Sequence, residues 1–207
     1  MAADPASVVF PPSARAMQQR LGSRAMYAKR DLPGGFPQAI DEQLAEFLAS
    51  LDSFFMASAT ADAKPYIQHR GGPRGFLKVL GPTTLGFADF AGNRQYITLG
   101  RLAENDAACL FLIDYQTRTR VKLWGRAHVV EGDSELLAKL IVPGYKARME
   151  RAIVIEVDAW DINCRQHIPQ KFSAVDVQAA VGKLQMRIEE LQAENAALRA
   201  AQNPQPA

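Results

Sequence analysis

From Ile40 onward the apolar residues fall first at helical and then at strand spacing. Ile40, Leu44, Phe47, Leu48 and Leu51 share one stripe of an amphipathic helix, with Pro37 at or near its first turn. After Leu51 the period shortens. Ser53 to Thr60, Pro65 to Arg70, Gly75 to Leu80 and Thr84 to Asp89 are short strand-like segments, separated by turn residues at 62–65, 71–73 and 81–82, and this rhythm predicts antiparallel β structure. A break at Ala91 to Asn93 precedes a predicted helix from Arg94 to about Ala103. Two long strands follow, Ala107 to Tyr115 and Arg120 to Glu131, then a helix from an Asp133 cap to about Ile141, stopped by Pro143 and Gly144. Arg151 to Asp158 reads as the last strand. Helices inserted among strands, rather than alternating with them, predict a closed or half-closed barrel and not a doubly wound parallel sheet.

The ends of the chain have other patterns. Residues 1–37 form an arm interrupted by Pro11, Pro12, Pro33, Gly34, Gly35 and Pro37, with at most a short helix around Ala14 to Lys29 and no core of its own. Near the other end Val177, Val181, Leu184, Ile188, Leu191, Asn195 and Leu198 recur every three or four residues. That is a heptad seam with Val181 and Ile188 at a, leucines at d, and Asn195 at the last a position. β-Branched a with Leu at d favours two parallel strands, and a buried Asn sets register. Glu194 at g faces Arg199 at the following e of a partner. The alternative is a single amphipathic helix lying on its own barrel. The organisation is therefore an arm at 1–37, a barrel domain at 38–170, a coiled-coil helix at 171–200 and a disordered tail at 201–207.

Composition removes several classes of function. With 24 basic and 22 acidic side chains the net charge is +2, too small to point to nucleic acid. No apolar run reaches the roughly 18 residues of a membrane helix, and the first twenty residues lack the pattern of a secretory signal, so a cytoplasmic location is expected. Two cysteines, Cys109 and Cys164, make no disulfide framework. The common nucleotide-loop, zinc-protease and serine-hydrolase signatures are absent. Cys164 and His167 have a C-x-x-H spacing, but two ligands fall short of the three that a zinc site needs, so no metal is expected.

An anion site must then be local. Asn93, read as a helix cap, with Arg94 in the first turn and Gln95 after it, offers free backbone amides and a guanidinium to a phosphate. Gln68, His69 and Arg70 precede Gly71 and Gly72, and Lys78 lies on the next strand. Arg118, Arg120, Lys122 and Arg126 add a third group on the long hairpin. Singly, each is a solvated strand-face charge; gathered beside glycines, they favour an anionic cofactor.

The runs Gly75-Phe76-Leu77-Lys78, Leu85-Gly86-Phe87-Ala88-Asp89, Asn93-Arg94-Gln95, Leu102-Ala103-Glu104-Asn105 and Arg120-Val121-Lys122-Leu123-Trp124-Gly125-Arg126 resemble the pyridoxamine 5'-phosphate oxidase-related FMN-binding proteins over about residues 40–170. The resemblance implies a mainly β fold with flanking helices, an FMN-binding split β-barrel, and a homodimer with FMN at the subunit interface. It assigns Asn93, Arg94 and Gln95 to the FMN phosphate and Ala88 and Asp89 to the flavin; Gln68, His69 and Arg70, read from their clustering, would then contact phosphate or ribityl. Lys78 matches a lysine that touches the substrate, and Arg120 a polar residue contributed by the second subunit. The family oxidase usually carries Ser-Arg-Lys where this chain has Asn93-Arg94-Gln95, so one charge is lost, which Arg70 or His69 could replace. The oxidase's late Trp and Arg have no counterpart after Asp158, and His167 is the candidate for closing the site beside a substrate.

The expectation is a homodimeric FMN flavoprotein that passes electrons between its flavin and a small-molecule redox partner, though not a true pyridoxamine phosphate oxidase. It would use no nucleic acid and no membrane. The alternatives are a non-catalytic FMN module for storage or sensing, and a haem-binding split barrel that uses His167.

Overall fold

The structure is a computed structural model that describes residues 4–163 and 165–202. The chain divides into two compact units, one of residues up to 114 with 118–166, the other of residues 115–117 with 167 onward.

Among the described residues the first unit holds seven strands: β1 (Ser53–Ala59), β2 (Pro65–Gly71), β3 (Lys78–Gly81), β4 (Thr84–Phe90), β5 (Ala107–Asp114), β6 (Thr119–Val130) and β7 (Met149–Asn163). They form one antiparallel sheet in the order β2-β1-β5-β6-β7-β4-β3. Four strands separate β2 from β4 in that order, yet Arg70 of β2 bonds Asp89 of β4 and Phe54 of β1 meets Phe87 of β4. The sheet therefore curls until its two ends touch, which makes a split barrel. Its interior is filled by every second residue of the strands, including Phe54, Met56, Leu110, Leu112, Leu123, Ile153 and Ile155, and burying each such side chain contributes about 1.5–3 kcal/mol.

Helix α4 (Glu42–Ser50), counted after three short helices of the arm, buries Leu44 and Leu48 against this core, as the stripe predicts. It begins later than expected. Asp41 is the cap, accepting from the Leu44 amide at 2.8 Å, while the Pro37 carbonyl instead accepts from the Trp160 amide. Helix α5 (Ile97–Glu104) joins β4 to β5, and α6 (Ser134–Leu140) joins β6 to β7 behind the Asp133 cap. Ala63 in the β1–β2 turn has φ +64°, a conformation that costs an alanine about 1 kcal/mol relative to glycine.

Three expectations are corrected. Residues 75–77 are not strand: Gly75 takes φ +76° in a turn closed by Phe76 N–H to the Pro73 carbonyl, so β3 starts at Lys78. The last strand runs from Met149 to Asn163 instead of 151 to 158. It was hard to read because both its faces are covered, so the alternation fades: Ile153 and Ile155 face the core, Ala152 lies with Leu140 of α6, and Ala159 is packed by the arm. The arm itself folds as α1 (Pro5–Val9), α2 (Pro12–Arg20), α3 (Arg24–Tyr27) and a 3-10 turn, rather than one helix at 14–29. Asp4 caps α1, and Gly22 at φ +78° separates α2 from α3. Ala6, Phe10 and Phe36 pack with Trp124 and Ala159, and Arg30 is tied to Asp161 at 2.9 Å.

In the second unit α7 (Ala174–Gln202) is one helix of 29 residues, opened by Ser173, whose hydroxyl accepts from the Asp176 amide at 3.1 Å. Val177, Val181, Leu184, Ile188, Leu191 and Leu198 are exposed along it. Before it, the Lys171 ammonium sits 4.3 Å from the Tyr115 ring centre and Gln170 Nε2 donates to the Gln116 carbonyl. Cys164 and the tail from residue 203 lie outside the described residues. Among those described, no helix is long and apolar enough to cross a membrane.

Candidate functional site

Where the ends of the sheet meet, a cleft of about 220 Å³ opens between β2, the end of β4, the 91–96 segment, the first turn of α5 and the start of β7. Strand alternation decides which side chains of β2 reach it. Tyr66, Gln68 and Arg70 lie on one face and line the cleft, whereas Ile67 and His69 lie on the other. His69 meets Phe55 edge-on with ring centres 5.6 Å apart and borders a second cavity, of about 150 Å³, with Arg70, Phe76, Phe87, Ala88 and Asp89. The two cavities share Arg70, Asp89 and Phe90.

The segment before α5 departs from expectation. The helix starts at Ile97, not Arg94, with Tyr96 before it at φ +53°. Arg94 is also left-handed, at φ +58°, and two such residues cannot continue a right-handed helix. Asn93 is therefore not a helix cap: its Oδ1 accepts from the Gln95 amide at 3.2 Å, closing a local turn. Asn93, Arg94 and Gln95 still line the cleft. Among the described residues Arg94 forms no ion pair, and it is exposed.

Beneath them is a charged cluster. Asp89, whose side chain is 9% exposed, accepts from Arg70 Nη1 at 2.8 Å and from Arg151 Nη1 at 3.2 Å. Arg151 also reaches Glu131 at 3.1 Å and Glu150 at 3.3 Å, and its guanidinium stands 5.4 Å from the Tyr96 ring centre. Burial works against the charge on Arg151, but Asp89, Glu150 and Glu131 outweigh it and its pKa is raised. For Arg70 burial prevails over Asp89 and the pKa is lowered. Arg70 rests 5.7 Å from the Phe87 ring centre, and its buried Nε has no hydrogen-bond partner. An unsatisfied buried guanidinium donor is costly unless a ligand takes it. Gln68 is held by the Thr98 hydroxyl, 2.6 Å from its Oε1, which ties β2 to α5.

Of the residues read from the sequence, Gln68, Arg70, Asp89, Asn93, Arg94 and Gln95 come together in the cleft, with His69 and Ala88 around the adjoining cavity. Lys78, paired with Gly86 across β3 and β4, lines neither cavity, nor does Arg120 of β6. Arg120 lies over the Phe111 ring at 5.9 Å, with its Nε buried and unpartnered. His167 belongs to the second unit, exposed at φ +62°. Arg151, Glu150, Tyr66, Tyr96 and Thr98 were missed. For Arg151 the signal was its register opposite Asp89, which needs β7 to be recognised as the neighbour of β4.

A family model for pyridoxamine 5'-phosphate oxidase matches residues 40–181. No curated protein matches the chain. Among solved structures, HupZ of Group A Streptococcus is 15% identical, with 64% of this chain and 99% of that one covered and a TM-score of 0.48. An FMN-binding protein from Syntrophomonas wolfei is 11% identical, with 73% and 95% covered and a TM-score of 0.47. A Clostridium acetobutylicum protein related to general stress protein 26, described as of the pyridoxinephosphate oxidase family, is 15% identical, with 67% and 99% covered and a TM-score of 0.43.

Proposed function

The chain belongs to the pyridoxamine 5'-phosphate oxidase family, and from that premise we propose that it is a homodimeric, cytoplasmic FMN flavoprotein, an oxidoreductase acting on a small-molecule partner. The observation that carries this reading is the donor set of the cleft. Arg94 is without an acidic partner among the described residues, and Arg70, which lines the same cleft, keeps one buried Nε–H unmatched. Cationic donors without partners are what a phosphate monoester needs.

When bound, FMN supplies electron transfer through its flavin ring. The protein's part is binding and exclusion of water. Arg94 and Arg70 hold the phosphate, with Asn93 and Gln95 in the same wall, and Gln68, fixed by Thr98, is a polar contact for the ribityl chain. Phe76, Phe87 and Ala88 give the adjoining cavity an apolar wall. Asp89 is not a free carboxylate beside the ring, as its two arginines occupy it. In this reading Lys78 and Arg120 act on the dimer, Arg120 approaching the cofactor held by the other subunit.

Purified protein should show a flavin absorption band or acquire one on adding FMN; a colourless protein that takes up no FMN overturns the reading. Bleaching of that band by NADH, NADPH or pyridoxamine phosphate under anaerobic conditions identifies an enzyme. The Arg94→Ala change should weaken FMN binding by about 2–3 kcal/mol, roughly 30- to 160-fold in Kd by calorimetry. Unchanged affinity removes Arg94 from the phosphate site.

The exposed seam of α7 is proposed to pair with the same helix of a second chain, in parallel, with Asn195 against Asn195 and Glu194 against Arg199. A Leu198→Cys substitution at a d position should then oxidise to an interchain disulfide, seen on a non-reducing gel and absent from the parent protein. Failure to cross-link rejects the parallel pairing.

A further inference from the structure

Three guanidinia and two carboxylates line the cleft, and they are not evenly matched. Asp89 bridges Arg70 and Arg151, and Glu150 adds a second contact to Arg151, which leaves Arg94 as the cleft's guanidinium outside any ion pair among the described residues. We propose that Asp89 is an electrostatic counterweight: by engaging Arg70 and Arg151 it lowers the affinity of the cleft for anions, so that a bare phosphate is held weakly and a phosphate carried on a larger ligand is held through its further contacts. The inference deepens the cofactor reading and rests on it only for the identity of that ligand.

The argument is electrostatic. A phosphate entering beside Arg70 meets a buried carboxylate 2.8 Å from the same guanidinium, and in a poorly screened site the two anions repel while sharing one cation. What remains for the phosphate is Arg94, which has no ion pair among the described residues, and the share of Arg70 that Asp89 leaves. Free phosphate or sulfate has only the neutral polar groups of the same wall, Asn93 and Gln95, to offset that repulsion. A ligand whose apolar part enters the adjoining cavity beside Phe76 and Phe87 gains additional burial. The carboxylate thus weakens every anion alike and sets how weak a bare anion is, while the adjoining cavity supplies the difference between ligands.

The test titrates inorganic phosphate, FMN and riboflavin into the flavin-free full-length protein and its Asp89→Asn variant, which keeps an oxygen acceptor for one arginine. The variant should bind inorganic phosphate and FMN each at least tenfold more tightly, with a smaller gain for uncharged riboflavin. Unchanged or weaker phosphate binding by folded Asp89→Asn protein overturns the proposal, since Asp89 would then position Arg70 for the ligand instead of restraining it. Glu150→Gln, at a less central carboxylate that is 16% exposed on its side chain, should tighten phosphate about threefold. If the first variant fails to fold, this second one decides, and no change overturns the idea. If neither protein takes up FMN but Asp89→Asn still gains phosphate tenfold, the flavin reading fails and the counterweight stands. Normal FMN binding with phosphate affinity unmoved by the variant sinks the counterweight alone.

Discussion

Replacing Phe54 with alanine is expected to remove about 4 kcal/mol of folding free energy, which lowers Tm by roughly 8–16 °C in a chain of this size. Phe54 is 1% exposed and joins two rings of the barrel interior: Phe76, stacked at 5.6 Å between centres, and Phe87, edge-on at 5.3 Å. Truncation removes the ring that both others touch, and a packed interior closes only partly over such a void. The consequence reaches the cleft, because Phe87 carries the Arg70 guanidinium on its face and lines the adjoining cavity with Phe76. Thermal unfolding followed by circular dichroism checks the first effect, and FMN titration of the variant below its Tm should show weakened binding as well. A loss below about 1 kcal/mol would mean that the cluster repacks, contrary to the general behaviour of buried aromatics.

The second large effect is expected at Gly125. Here the β6–β7 ladder shifts register, and a Cβ on residue 125 would fall on the carbonyl oxygen of Glu156, well inside contact distance. The obstacle is backbone on the neighbouring strand, so it cannot swing aside as a side chain could. Gly125→Ala should therefore destabilise by about 3 kcal/mol, the upper range for overpacking, measured as a drop in the urea midpoint with an unchanged slope. A normal midpoint would show that β6 and β7 can separate at the bulge without loss. The same glycine belongs to the Trp124-Gly125-Arg126 run that carries part of the family resemblance, and the close strand approach gives it a physical reason.

Much of the barrel could be read from local pattern. The alternation in β1, where Phe54 and Met56 point inward and Phe55 outward, is a property of that strand alone. So are the stripe of α4 and the turn between β1 and β2, predicted at 62–65. The local pattern is lost where two layers cover one strand. β7 looks short in sequence because the arm hides the outer face at Ala159 and α6 the outer face at Ala152, so both faces are apolar and the period of two is lost. Residues 91–96 also depart from their local pattern. Asn, Arg and Gln before an apolar run satisfy the rules for a helix start, but Arg94 and Tyr96 adopt left-handed backbone that those rules do not foresee.

The candidate site divides along the same line. Gln68 and Arg70, and separately Asn93, Arg94 and Gln95, were identifiable as local donor clusters because glycines, a strand end and neighbouring donors are short-range features, whereas Asp89 came only from the family resemblance. That His69 faces away from Gln68 and Arg70 follows from strand alternation and could have been inferred once β2 was accepted. The role of Asp89 could not, since it depends on Arg70, 19 residues before it, and Arg151, 62 residues after it.

By itself the sequence determined that a small antiparallel barrel forms, where most of its strands lie, and that polar and basic donors cluster at the end of β2 and before α5, because periodicity, turn chemistry and residue type act within a few positions. Only the tertiary structure decided which of those bases are free to hold an anion. A guanidinium's availability depends on the carboxylate it meets, and the curl of the sheet, bringing β2 and β7 together at the end of β4, chooses that carboxylate.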